Sequence, residues 1–159
     1  MADPAPAPNP RQVLLQKIYL KDASVELPQA PGIFTRQGQP QMDVQVNTDA
    51  ATLGNDHYQV TLSVTITAKL ENEVAFLIEA KQSGIFLIKG FADPAEQQAV
   101  LGAYCPNVIF PFARETVADL VQRAGFPPLL LQPMNFDALY AEHLARSKAP
   151  PAGAEAKTH

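Results

Sequence analysis

A single cysteine, Cys105, is the residue whose type and position best suit a nucleophile. It stands directly before Pro106, where a helix is predicted to begin, and the positive end of a helix dipole lowers the pKa of a nearby thiol. No second cysteine is available for a redox pair, and none of the three histidines shares a local motif with Cys105. A thiol enzyme is therefore one hypothesis, and a buried structural thiol is the alternative that the sequence favours.

Three carboxylates, Asp22, Glu26 and Glu79, are the remaining candidates for acid–base chemistry. All three fall on the polar face of predicted strands, where no apolar surroundings would raise the pKa of one carboxyl above the others. We interpret them as a docking surface for a basic partner, with an ordinary solvated strand face as the alternative. Leu77 lies among them and would be the apolar anchor of such a contact.

Metal and nucleotide chemistry find no motif in the sequence. His57, His143 and His159 are far apart and do not form a set of metal ligands, and no glycine-rich phosphate loop is present. The net charge of −4, with scattered lysines and arginines, argues against nucleic acid and anionic membrane as partners. We predict no catalytic residue, no metal, no cofactor and no direct membrane insertion.

The composition predicts a single domain in the cytoplasm. A chain of 159 residues that is 47% hydrophobic can bury a substantial core. One cysteine cannot form an internal disulfide, and no signal-peptide segment is visible. Proline-rich segments predict a disordered arm over residues 1–10 and a flexible tail over residues 150–159, which leaves residues 11–149 for the folded domain.

Alternating apolar and polar residues predict four antiparallel strands. The clearest pattern, over residues 58–69, places six apolar residues on one face and six polar residues on the other, which is typical of a sheet with one wet face. The other strands are expected over residues 13–27, from 42 to a turn at 54–56, and over 74–80. A break is expected at 82–84, with residues 85–88 as a candidate extension of the fourth strand. Matching the apolar faces of the last two strands predicts a three-residue loop, residues 70–72.

Helices are predicted in the second half of the chain. Asp93 and Pro94 have the order of a helix start, and Gly102 should end this short first helix. A long second helix is predicted over residues 106–125 from apolar residues at three- and four-residue spacing. A last helix should begin near residue 135 and bury Phe136, Leu139 and Tyr140.

These elements predict an α+β fold, in which a four-stranded antiparallel sheet is followed by a long helix and a C-terminal helix. Two connections are unusually apolar, at residues 33–34 and 126–131. Either they fold onto the core, or with the last helix they wall a groove that accepts an extended apolar peptide by backbone pairing and side-chain pockets.

Residues 101–115, LGAYCPNVIFPFARE, closely resemble the corresponding segment of the SecB family of cytoplasmic export chaperones. IYLKDASVELP, AFLIEA and SGIFLIKG do so as well, and the resemblance runs from about Ile18 to Tyr140. It implies a homotetramer, a dimer of dimers with the long helices packed between the dimers. Unfolded precursor proteins and the SecA translocase ATPase are the partners that it implies.

The resemblance also implies roles for individual residues. The family's contact surface for SecA matches Asp22, Glu26, Leu77 and Glu79. Positions that hold the tetramer together match Phe76, Ile78 and Ala80, and the helical stripe of Phe112, Val117 and Leu120 is expected to face the neighbouring dimer. The client groove would be walled by Ile33, Phe34, Phe126, Leu129, Leu131, Phe136, Leu139 and Tyr140.

Our main hypothesis is an ATP-independent holdase that binds unfolded precursors and delivers them to SecA without catalysis. One alternative is a SecB-like chaperone dedicated to a specific partner such as an antitoxin. The other is the thiol enzyme that uses Cys105. Under the main hypothesis the segment around Cys105 is an assembly element that sets the start of the long helix.

Overall fold

The computed structural model describes residues 10–148, so the predicted arm, apart from Pro10, and the predicted tail lie outside the described residues. A four-stranded antiparallel sheet in the order β1-β4-β3-β2 is followed by helices, which confirms the predicted α+β fold. None of the helices within this range is long and apolar enough to cross a membrane. The elements are β1 Gln12–Glu26, β2 Gln41–Gly54, β3 His57–Leu70, β4 Glu73–Lys89, α1 Pro94–Ala99, α2 Cys105–Arg123 and α3 Phe136–Lys148.

The core lies between the two central strands and α2. Even-numbered residues of β3 and β4 share one face, with Ile66 opposite Ile78, and both side chains are fully buried. On the helix, Val117 and Val121 are equally buried, and the Thr116 hydroxyl donates to the Gln82 side-chain oxygen at 2.9 Å. Burying an aliphatic side chain of this size contributes about 1.5–3 kcal/mol, so this face accounts for much of the stability.

The hairpin between β3 and β4 differs from the predicted three-residue loop. Leu70 pairs with Glu73, so the loop contains only residues 71 and 72, both with positive φ, as in a type I′ turn. A β-bulge at Ala75 shifts the register by one residue, so even-numbered residues of β3 again lie opposite even-numbered residues of β4. The apolar faces therefore still meet, but Ile66 lies opposite Ile78 and not opposite the predicted residue 76.

β4 also continues through residues 82–84, where the sequence predicted a break. Gly84 lies opposite Ile18 in the sheet. A Cβ at position 84 would lie 3.3 Å from the side chains of both Leu15 and Ile18. The glycine therefore marks a close approach of β1 side chains to the β4 backbone, and the expected break is wrong.

Gly102 does not end the first helical segment, contrary to the prediction. The backbone continues from α1 into α2 through a wide π-type turn, Val100–Tyr104, in which the Cys105 N–H donates to the Val100 carbonyl. Pro106 then falls in the first turn of α2, where its missing N–H is tolerated. The predicted start is confirmed, since the Asp93 side chain accepts a hydrogen bond from the Ala95 N–H at 2.9 Å.

α3 begins at Phe136, close to the predicted position, and its predicted burial is confirmed for Phe136 but is wrong for Leu139. Phe136 is its buried residue and contacts the ring of Phe110 edge to face, with centroids 5.5 Å apart. Leu139 is 41% exposed and Tyr140 is only partly buried. The helix packs mainly against the π-type turn and lies beside β2, which leaves an open space between α3 and the sheet.

Candidate functional site

A cavity of about 490 Å³ lies between β2 and α3. Five consecutive residues of β2, 46–50, form one wall. The other wall and the floor contain the apolar or aromatic residues Leu101, Phe136, Leu139 and Tyr140. Polar side chains also line them, namely Gln98, Glu142, His143 and Arg146. An extended chain with some apolar side chains fits this arrangement of a strand edge facing Leu139 and Tyr140 of α3.

Tyr140 and Gly102 set the spacing between α3 and the rest of the domain. The Tyr140 ring lies so close to the backbone at residue 102 that a Cβ there would collide with it. Glycine is therefore needed at this position, because any side chain would displace the ring. The residue that was predicted to end a helix instead seats the aromatic side chain that borders the cavity.

Three phenylalanines form a second apolar cluster at the other end of α2. The Phe126 ring lies 4.9 Å from Phe76 and 5.5 Å from Phe34, centroid to centroid. Phe76 is fully buried, whereas Phe34 is 50% exposed and lies against Gly125. The cluster thus connects the core to the surface at the connection between β1 and β2.

The eight predicted groove residues are consequently divided among three environments. Phe136, Leu139 and Tyr140 meet at the cavity, and Phe34 and Phe126 meet in the aromatic cluster. Ile33, Leu129 and Leu131 pack against the core, with Ile33 and Leu131 buried. The β2 wall was not predicted. Of the apolar residues at positions 42, 44 and 46, which indicated a strand, Val46 lines the cavity.

The four residues predicted to contact SecA lie together on the sheet face opposite α2. Glu26 is directly opposite Leu77, and Glu79 is one rung away, opposite Ser24. Asp22 follows on the next rung, opposite Lys81. All three carboxylates are exposed and Leu77 is partly buried. The three carboxylates thus share one face, with Leu77 at one end and Lys81 beside Asp22 at the other. We call these four residues the acidic patch.

The six residues predicted at an oligomer interface differ greatly in exposure. Phe76, Ile78, Ala80 and Val117 are buried within this chain at 1% exposure or less, so their side chains have no surface to offer a second copy. Phe112 is 41% exposed and Leu120 is partly buried. Of the six, these two retain side-chain surface beyond the chain's own core.

Cys105 is fully buried, and burial raises the pKa of its thiol from 9.0 to about 12. The predicted effect of the helix dipole is outweighed, because desolvation disfavours the thiolate. At neutral pH the thiol is protonated and inaccessible, which removes the basis of the thiol-enzyme hypothesis. Within residues 10–148, no group of three or more His, Cys, Asp or Glu side chains could hold a metal ion.

Comparison with known proteins identifies the family. The model of the family described as preprotein translocase subunit SecB matches residues 6–147. The chain belongs to the SecB family. The protein-export protein SecB of Thioalkalivibrio sulfidiphilus is 52% identical over 143 residues, which cover 89% of this chain and 84% of that protein. SecB of Methylococcus capsulatus is 47% identical, with 89% and 92% covered. The family consists of protein-export chaperones and not of enzymes.

The SecB fold is also found in a solved structure of the SecB-like chaperone of Mycobacterium tuberculosis, in complex with an antitoxin peptide. The TM-score is 0.64 over 77% of this chain and 90% of that chain, with 20% sequence identity. At this identity the similarity establishes the shared fold alone.

Proposed function

We propose that this SecB chain is an ATP-independent holdase in the cytoplasm that binds unfolded precursor proteins and delivers them to SecA for export. The cavity between β2 and α3 carries the client-binding half of the proposal, because it exposes Leu139 and Tyr140 beside an edge strand. A client leucine or phenylalanine that becomes fully buried contributes about 1.5–3 kcal/mol. Several such contacts hold a client without any chemical step.

Leu139→Asp should weaken the binding of an unfolded precursor about tenfold or more, because a carboxylate replaces an apolar contact. Leu139 is 41% exposed, so the substitution should leave the fold intact. The matched control is Leu144→Asp, since Leu144 is 36% exposed on the same helix but does not line the cavity. Suppression of client aggregation and titration of a labelled unfolded precursor measure the effect. If the two variants bind the precursor with equal affinity, the cavity is not part of the binding site.

A homotetramer is the second part of the proposal, and an uncovered apolar surface supports it. α2 packs on β3 and β4, so the β1 residues on the same side of the sheet remain open. Leu15 and Leu20 are 41% and 46% exposed there, opposite Phe86 and Gln82. Such a row on an edge strand is suited to burial by a helix of a second copy.

Phe112→Asp should lower the solution mass below four times the chain mass of 17.2 kDa, because a carboxylate in an apolar interface is costly. Leu53→Asp is the control, since Leu53 is 54% exposed at the far end of β2. Light scattering at fixed concentration measures both variants and the unaltered chain. A monomeric unaltered chain would refute the tetramer, and a tetrameric Phe112→Asp variant would exclude Phe112 from the interface.

A chaperone dedicated to one partner remains a separate candidate. The range of clients distinguishes it from a general export chaperone. Relatives that are 47–52% identical carry the name of the export protein, and this favours general export. Binding of several unrelated unfolded precursors with similar affinity supports the general chaperone. Binding of one protein alone would favour the dedicated chaperone.

A further inference from the structure

α1 is attached to the sheet by polar side-chain contacts. None of its residues, Pro94–Ala99, is buried. The Gln97 side-chain amide donates a hydrogen bond to the Tyr58 hydroxyl of β3, and both side chains are partly buried. Glu96 forms an ion pair with Arg11, but these side chains are 44% and 61% exposed. An exposed ion pair contributes little, so the hydrogen bond between Gln97 and Tyr58 is the stronger attachment. We call this hydrogen bond the α1 latch.

α2 is attached in a different way, through the core. Cys105 and Ile109 are fully buried near its start, so close packing fixes its rotation. The π-type turn, Val100–Tyr104, joins the two helices and contains one residue more than an α-helical turn. One extra residue rotates α1 by about 100° relative to an uninterrupted helix. The turn thus allows Gln97 to face Tyr58 while Cys105 faces the core.

The π-type turn also forms part of the cavity. Leu101 and Gly102 line it, and the Tyr140 ring packs directly on Gly102. Gln97 and Tyr58 lie outside the cavity lining. If α1 rotated toward the orientation of an uninterrupted helix, Gly102 would turn away from the Tyr140 ring. A residue with a Cβ in its place would collide with the ring.

We propose that Tyr58 and Gln97 are positioning residues for the cavity, because the α1 latch acts through the π-type turn to hold Gly102 beneath the Tyr140 ring. Without the latch α1 is free to rotate, since the exposed ion pair resists rotation only weakly. The floor of the cavity then moves although every residue that lines it is unchanged. This is a property of the free chain, and its consequence for clients rests on the proposed chaperone function.

The link from the latch to Tyr140 is tested by fluorine NMR of the full chain, in which 3-fluorotyrosine replaces the four tyrosines at positions 19, 58, 104 and 140. Tyr104→Phe and Tyr140→Phe assign the signals by deletion. Tyr58→Phe removes the hydroxyl of the latch and keeps the ring. We expect this variant to shift or broaden the signals of Tyr104, which lies in the π-type turn, and of Tyr140.

Tyr19→Phe is the matched control. Tyr19 is also partly buried, and its hydroxyl donates to the Gln59 side chain, but it lies on the face of the sheet that points away from the helices. The Tyr104 and Tyr140 signals should stay in place in this variant. If Tyr58→Phe leaves both signals unchanged, or if Tyr19→Phe moves them equally, the latch does not position the cavity.

Hydrogen exchange of residues 100–105 measures how often the π-type turn opens. Tyr58→Phe should speed this exchange about fivefold to tenfold, the usual effect of losing one hydrogen bond, and should leave the exchange of β3 unchanged. Gln97→Leu should have the same effect, and the double variant should exchange no faster than either single variant, because both substitutions break one bond. Additive effects, or faster exchange throughout the chain, would overturn the latch.

The consequence for clients is tested by adding reduced, carboxymethylated α-lactalbumin, a permanently unfolded protein, to the Tyr58→Phe chain. A client held in the cavity stabilises its floor, so a saturating amount of this probe should slow the exchange of residues 100–105 about fivefold or more. If the probe binds, as measured by fluorescence anisotropy, and the exchange stays unchanged, the turn is not coupled to the client site and the proposal fails. If the probe does not bind the unaltered chain either, the proposed function fails, while the fluorine signals of the free chain still decide the role of the latch.

Discussion

A chain with both Asp22→Lys and Glu79→Lys should bind SecA roughly a hundredfold more weakly than the unaltered chain, because each reversal turns an attraction into a repulsion. The two residues lie on neighbouring rungs of β1 and β4, and Leu77 follows on the next rung after Glu79. A basic partner surface would meet them together. Binding of the unaltered chain should also weaken with rising salt, since exposed charges are screened. Calorimetric or surface-based titration of SecA measures both effects.

The control places the same charge change elsewhere on the molecule. Asp137→Lys with Glu142→Lys alters two exposed residues of α3 and should leave SecA binding almost unchanged. Client binding of the acidic-patch variant should remain normal, because the patch lies on the opposite side of the sheet from the cavity. If the acidic-patch variant binds SecA as tightly as the unaltered chain, these carboxylates are only a solvated strand face.

Phe76→Ala should lower the free energy of unfolding by about 3–5 kcal/mol, the usual cost of a cavity left by a buried phenylalanine. Phe76 is fully buried, and its ring supports Phe126 at 4.9 Å. Loss of the ring therefore also loosens the contact from Phe126 to Phe34. Chemical denaturation at a fixed protein concentration measures the change, since the stability of an oligomer depends on concentration.

Phe34→Ala is the matched control for this substitution. The residue type is the same, but Phe34 is 50% exposed, so the expected loss is about 1 kcal/mol or less. A comparable loss in both variants would mean that Phe76 is not part of a tightly packed core. A normal stability of Phe76→Ala would contradict the description of the cluster as a link between core and surface.

The sheet could be predicted well because one strand carries an unambiguous signal. In β3 every even-numbered residue from 58 to 68 is apolar, and this alternation can only fit a strand with one core-facing side. The turn after β2 was also predictable, since Asn55 and Asp56 adopt positive φ as their types allow. The prediction that the apolar residues of β3 and β4 lie on the same face of the sheet was correct as well.

The sequence did not specify which loop brings the apolar residues of β3 and β4 onto the same face. A longer loop and a tight turn with a bulge both align the same faces, and the bulge at Ala75 depends on packing across the sheet. Gly84 and Gly102 were misinterpreted for a related reason. Each glycine makes room for a side chain that is distant in sequence, and local pattern holds no information about such a neighbour.

The candidate site was predictable in its residue types and not in its arrangement. The apolar character of Phe136, Leu139 and Tyr140 was visible, but their degree of exposure follows from where α3 docks. The contribution of β2 was missed because alternation predicts a face and not which strand lies at an edge. The strand order β1-β4-β3-β2 decides that point, and it depends on long-range pairing.

The way in which α3 is attached bears on how the proposed client site would accept side chains of different size. The helix is fixed to the domain through buried Phe136 at its first residue and through Tyr140 on Gly102, while its remaining residues are exposed. A helix held at two neighbouring points can tilt with little loss of packing, whereas β2 opposite it is held along its length by pairing with β3. For the proposed general chaperone, a tilting α3 would by itself match the width of the cavity to client side chains of different size.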